Sequence, residues 1–328
     1  MTMSTATLTL CAWEGTHYYI EHYKHPTPPE LPSKARNLLR GAYIREEVVP
    51  DASVARQYLK RAITVVEEEG KLPPSHPVVL DLLKRLAASE YLAGDLIDAV
   101  ATYTKIWHLV IESYAERPSP AVIIESVQLA KKLGDLNMQF GEFKTAEDIL
   151  AWALHTLNTA TFTSAPSTDI KSTPAYLKMA VNLSLANLYA MQRQFNYAQP
   201  LYLRTLKAAQ EEHAKLGDNV DTTYKCLEAI IQTHLSEVFY AKQQLKSAMG
   251  WAQKALETAK AGQGVNRDCD ECAGVASSHL GAMLEKMGNP KDALSYYGQA
   301  YKYAVAAADG AGELDNLARI ERLKEHLE

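Results

Sequence analysis

This chain repeats itself, and a repeat of this length buries a core only by stacking copies of one small unit on its neighbours. The shared pattern is Leu, a small residue, an aromatic or large residue, a Gly or polar turn residue, then Ala, a large residue four later and a further small residue. Six copies occur in the 328 residues. The last is the clearest, with Leu280-Gly281, Leu284, Gly288, Ala293, Tyr297 and Ala300. The third has Leu133-Gly134, Gly141, Phe143, Ala146, Leu150 and Ala153. Leu86-Ala87, Gly94, Ala99 and Tyr103 mark the second; Leu185-Ala186, Tyr189, Phe195, Ala198 and Tyr202 the fourth; Leu235-Ser236, Phe239, Leu245, Ala248 and Ala255 the fifth. The first keeps only Ala55, Leu59 and Ala62.

The pattern is that of a helical hairpin. Small residues at Ala87, Gly134, Ala186, Ser236 and Gly281 let one helix approach the next closely, and the large residues fill the space beside them. Gly94, Gly141 and Gly288 fall where the first helix must stop, and Gly288-Asn289-Pro290 supplies in order a C-terminal glycine, an N-cap and a first-turn proline. No stretch alternates with period two between turn residues, so a sheet has nothing to be built from. The expected fold is all-α, with 47% apolar and 22% charged residues giving ordinary globular material for a core.

These residues resemble the tetratricopeptide repeat (TPR), whose signature of Leu-Gly, Tyr, Gly, Ala, aromatic and Ala they match. The resemblance implies a right-handed α-solenoid of about six hairpins. Repeat starts at Val127, Met179, Ala229 and Gly274 lie 45 to 52 residues apart, longer than the family period of about 34. The extra length is assigned to second helices and loops, above all to a flexible insertion at 158–174, where eight of seventeen residues are Ser or Thr. Gly312 to Glu328 reads as a polar helix capping the open end of the stack. The prolines at 26, 28, 29 and 32 leave too few amide donors for a helix, so 1–32 is read as an extended or weakly ordered lead-in and 33–328 as the solenoid. No Lys or Arg precedes Lys24, and the apolar run Leu8 to Trp13 is too short to span a bilayer, so the first thirty residues show neither a signal peptide nor a presequence.

Catalytic motifs are absent: there is no GxxxxGK[ST], HExxH or GxSxG, and Gly262-Gln263-Gly264 continues to Arg267 and reads as a loop. The chain is therefore expected to be no enzyme and to need no cofactor. A net charge of -5 argues against nucleic acid as a partner. Cys269-Asp270-Glu271-Cys272 is the one chemically distinctive cluster. With a single imidazole, His279, nearby, it lacks the ligands of a closed zinc site, so no metal is expected. Cys269 and Cys272 remain either two ordinary thiols at a helix start or, in an oxidising compartment, a candidate disulfide.

Repeat register places the fifth and ninth residues of each first helix on a concave, peptide-binding face. These include Lys84 and Lys131 in the first half and Asn187 and Thr233 in the second, with Tyr91, Met138, Met191 and Tyr240 added from the neighbouring face. Together they form the candidate client-binding groove. Asp135 and Glu237, also on that face, would repel a terminal carboxylate, which argues against capture of a chaperone tail.

A closer resemblance rests on Tyr18-Tyr19, on His25-Pro26-Thr27-Pro28-Pro29-Glu30-Leu31-Pro32, on the long repeats, and on Cys-Asp-Glu-Cys ahead of the last repeat with its Gly288 to Ala293 turn. These features are similar to the fungal TPR adaptors of the mitochondrial i-AAA protease. The resemblance implies a protein of the mitochondrial inner membrane, facing the intermembrane space, that delivers unfolded or membrane-protein clients to the protease. Its implied partners are AAA protease subunits and unfolded client proteins. Membrane association is then expected only through an N-terminal anchor not found in these residues, or through a partner. A TPR scaffold or assembly factor for a respiratory complex, or a soluble co-chaperone, is the alternative.

Overall fold

The computed structural model describes residues 13–116, 119–162, 169–216 and 221–327. Among them there is helix and no strand, as the repeat requires. The helices are α1 (Ser33–Tyr43), α2 (Ala52–Glu69), α3 (Pro77–Leu92), α4 (Leu96–Glu116), α5 (Pro120–Gln139), α6 (Phe143–Thr159), α7 (Pro174–Met191), α8 (Phe195–Leu216), α9 (Thr223–Ala241), α10 (Leu245–Ala259), α11 (Arg267–Lys286), α12 (Pro290–Ala306) and α13 (Gly310–Leu327). Two compact units result, Met1–Glu142 and Phe143–Glu328, where the sequence suggests one continuous run over 33–328. The division falls just after the turn at Gly141.

Helix starts follow their chemistry. Asp51 Oδ1 accepts Val54 N–H at 3.1 Å, Ser119 Oγ accepts Val122 N–H at 3.3 Å and Thr173 Oγ1 accepts Tyr176 N–H at 3.2 Å. Pro77, Pro120, Pro174 and Pro290 occupy first-turn positions where an amide donor is not missed. The expected Asn289 cap is the exception, because its side chain makes no capping bond.

Helix ends repeat one geometry. At Gly94, Gly141 and Gly288, all at positive φ, the turn amide bonds back three residues and the next amide bonds back five: Gly94 N–H to Tyr91 O at 3.1 Å, Asp95 N–H to Glu90 O at 2.9 Å. Arg193, Gln243 and Ala308 make the same pair of bonds at positive φ without being glycine.

In the first unit, α1 packs on α2, α2 on α3 and so on through α5, around a core that includes Leu39, Leu59, Leu82, Leu86 and Ile106. In the second, α7, α8 and α9 bury Tyr202, Ile231 and Leu235, while α11 to α13 bury Leu284, Tyr297 and Leu323. The small residues read from the repeat lie at these helix contacts: Ala87, Ala186 and Ser236 are buried, and Ser236 Oγ donates across to Ala248 O at 2.9 Å.

Two close approaches stand out. A Cβ on Gly41 would lie 2.9 Å from Cε1 of Tyr58, and one on Gly281 would lie 2.8 Å from Cε1 of Tyr297, a ring that is fully buried. Gly281→Leu is therefore expected to destabilise by about 1–3 kcal/mol through overpacking. Gly250 in α10 meets nothing within 4 Å, so Gly250→Ala should instead stabilise by up to about 1 kcal/mol through helix propensity. Urea unfolding of the two variants checks this; shifts of the same sign would contradict the tight packing at Gly281.

The lead-in differs from its sequence expectation. Residues 13–19 are helical and run into a π-helical turn, Ile20–Lys24, after which 25–28 carry no regular structure and a turn, with Leu31 N–H donating to Pro28 O at 3.2 Å, ends in a buried Leu31. Glu21 is what ties it down, accepting hydrogen bonds from Arg36 at 2.5 Å, Arg40 at 2.6 Å and Thr27 Oγ1 at 2.8 Å. Burial opposes its ionisation, yet these three donors outweigh that and hold its carboxyl down at about 2. Composition favoured an extended chain here; a charged anchor on α1 overrides it. In the insertion at 158–174, α6 runs to Thr159, Ile170–Ser172 form a 3-10 turn capped by Asp169, and 163–168 lie outside the described residues.

Candidate functional site

In the first unit the basic line is already neutralised. Lys84 on α3 is paired with Glu125 on α5, and Lys131 with Asp135 one turn along its own helix at 2.7 Å. Lys132 sits over the Tyr91 ring, 4.1 Å from its centroid. Met138 is 6% exposed and belongs to the core rather than to a groove. A stacked hairpin places acids of one first helix opposite bases of the next, which repeat register alone does not reveal.

In the second unit the register is better matched. Met191 is 54% exposed and Tyr240 38%, both open to a ligand. Thr233 is buried: its hydroxyl donates to Ala229 O at 3.0 Å and lies 3.1 Å from Cys272 Sγ, so it faces α11 and is removed from the contact set. Asn187 is half-buried, and its Oδ1 accepts the hydroxyl of the buried Tyr202 at 2.5 Å, so it holds α8 to α7.

Where α9 meets α11 there is a cavity of about 200 Å³ lined by Ser236, Glu237, Tyr240, His279, Ala282 and Met283. Glu237 is its centre. Its carboxylate lies 2.9 Å from His234 Nδ1 and 3.6 Å from His279 Nε2, and the His234 ring stacks on Tyr202 with centroids 5.7 Å apart. Burial disfavours the Glu237 anion, but the hydrogen bond from His234 and the proximity of both imidazoles hold its pKa below the ordinary value. Burial pushes His279 down, against the pull of Glu237. The sequence singled out Glu237 only as a repelling charge; the spacing of His234 and Glu237, one helical turn apart, was the available signal for the cluster.

The cysteines correct a second expectation. The disulfide joins Cys226, at the start of α9, to Cys269, at the start of α11, with Cα atoms 4.7 Å apart; Cys272 is the free thiol. Cys272 lies one turn further along the same side of α11, where it meets Thr233 of α9 instead of Cys226. Burial pushes the Cys272 thiol up to about 12, although the Thr233 hydroxyl opposes this. Among the described residues no group of His, Cys, Asp and Glu is placed to hold a metal ion, and no helix is long and apolar enough to cross a membrane.

No family model matches the chain, and no curated protein does. Solved structures do. The apo form of RapI superposes with a TM-score of 0.53 at 13% identity, covering 94% of each chain. A variant of the nearly identical TPR-like repeats assigned to a kinesin light chain of Podosopora anserina superposes with a TM-score of 0.50 at 17% identity, covering 71% of this chain and 97% of that one. At these identities the likeness concerns the fold. Helical hairpins stacked through small residues, six of their junctions closed by the same turn, make this an all-α, TPR-like solenoid.

Proposed function

We propose that the chain is a non-catalytic adaptor that receives extended segments of client proteins along the face shared by α9 and α11 and extending to Met191 on α7. The observation that carries this reading is the open cavity between α9 and α11, with Tyr240 and Met283 for apolar contact and Glu237 for a polar one. Tyrosine and methionine adapt to varied apolar segments at low entropic cost. The resemblance described above extends the proposal: the clients are unfolded or membrane proteins, and they pass to AAA protease subunits of the mitochondrial inner membrane on its intermembrane-space side. A disulfide between Cys226 and Cys269 supports an oxidising compartment of that kind.

Met191 and Tyr240 are exposed, so replacing both by Ala should leave helicity unchanged. The double variant is expected to bind a reduced, alkylated unfolded protein about tenfold more weakly, the loss expected of two apolar anchors. Unchanged binding would move the site off this face. Affinity capture from mitochondria, with an AAA protease subunit as the expected companion, tests the delivery step.

A further inference from the structure

We infer that the face shared by α9, α11 and α13 is a receptor for basic side chains, taking a client segment that carries two arginines or lysines, one at Glu237 and one at Asn316 and Asp309. This rests on the adaptor reading above and narrows its ligand. Most carboxylates around this face are already matched. Asp268 pairs with Lys171 at 2.6 Å, Glu271 with Arg267 at 2.8 Å, Asp315 with Arg319 at 2.9 Å and Glu285 with Arg322 at 2.8 Å. Glu237 has only imidazoles. Burial works against a charge on His279, and among the described residues no Lys or Arg is paired with Glu237, whose hydrogen bond comes from the His234 ring. Asp309 has no Lys or Arg partner among the described residues; its Oδ1 accepts Gly312 N–H at 3.1 Å.

A second cavity, of about 220 Å³, opens between α11 and α13, and His279 lines both. Asn316 is 4% exposed and lines this second cavity. Its Nδ2 donates to Gly312 O at 2.8 Å, which fixes the orientation of the amide, and its Oδ1 is buried with no partner in the chain. A buried acceptor left unmatched is costly, so the missing component is a donor. Guanidinium offers five N–H groups and ammonium three, with no acceptor in either, and that suits a carboxylate in one cavity and an amide oxygen beside a carboxylate in the other. Tyr240 adds an aromatic face at the first cavity, and Lys286, 4.9 Å from its centroid, already shows that the ring attracts a cation. Arg319, the resident cation of the second cavity, is occupied by Asp315 and by the Tyr297 hydroxyl at 3.4 Å.

The test is fluorescence anisotropy at neutral pH with three labelled Gly/Ser peptides: one carrying two arginines, one carrying two glutamates and one uncharged. The arginine peptide is expected to bind and to weaken with added salt, and the glutamate peptide to bind at least about tenfold more weakly. Glu237→Gln should weaken arginine-peptide binding about tenfold. Asn316→Asp should strengthen it, a gain that a damaged fold cannot produce. Indifference of the arginine peptide to both substitutions, or a preference for the glutamate peptide, overturns the inference. If unfolded-protein binding still depends on Met191 and Tyr240 in that case, the adaptor reading stands without it; if that dependence is also absent, both fall.

Discussion

Cys226→Ser is expected to destabilise the second unit by about 2–4 kcal/mol. The bridge joins the first turns of α9 and α11 across 43 residues, a span that contains all of α10. In the unfolded chain a link of that span removes loop entropy equivalent to about 4 kcal/mol, and native-state effects usually lower the realised value. The sulfurs are also packed: a Cβ on Gly262 would lie 2.6 Å from Cys269 Sγ and 3.2 Å from Cys226 Sγ. Urea unfolding with and without reductant is the measurement. Wild type should lose stability under reductant, Cys226→Ser should be indifferent to it, and Cys272→Ser should keep the wild-type response. A wild-type midpoint that ignores reductant would exclude the Cys226–Cys269 bond.

Tyr202→Ala should cost about 3–5 kcal/mol, because the ring is fully buried between α7, α8 and α9 and leaves a large cavity when removed. The hydroxyl is separable from the ring. Tyr202→Phe removes one hydrogen bond, to Asn187, and should cost about 1 kcal/mol; Asn187→Ala leaves the Tyr202 hydroxyl unmatched and should cost about 1–3 kcal/mol. In the double variant Tyr202→Phe with Asn187→Ala the losses should be less than additive, since both remove the same bond. Additive losses would mean that the 2.5 Å contact contributes nothing. Asn187 is thereby a residue whose replacement alters stability, which disqualifies it as a clean probe of client binding.

The fold was legible wherever a residue type is itself the physical requirement. Ala87, Ala186 and Gly281 mark helix contacts because only small side chains fit there, and Tyr202 and Tyr297 fill the adjoining space. Turns were half legible. Gly94, Gly141 and Gly288 announce positive φ, but Arg193, Gln243 and Ala308 adopt it without the glycine signal, carried by the packing of the helices they join. The disulfide was misread because Cys269 and Cys272 are close in sequence, whereas Cys226 becomes Cys269's neighbour only after α9 and α11 stack. The site was least legible: Thr233 and Met138 sit on helices that do line a face, yet each turns inward, and the Lys84–Glu125 pair depends on how two helices pack, whereas Lys131–Asp135 follows from i,i+4 spacing on one helix.

The recurring turn also bears on how the chain reaches its native state. Each of the six turns joins helices adjacent in sequence, and its two backbone bonds span only three and five residues. Such closures are entropically cheap, so contact order is low and rates in the microsecond-to-millisecond range are expected of individual hairpins. Because all six share one geometry, no single hairpin is an obligatory nucleus. Collapse can begin at whichever pair forms first and spread outward, and hydrogen exchange would follow the reverse course, earliest at the ends of each unit and latest at its middle helices.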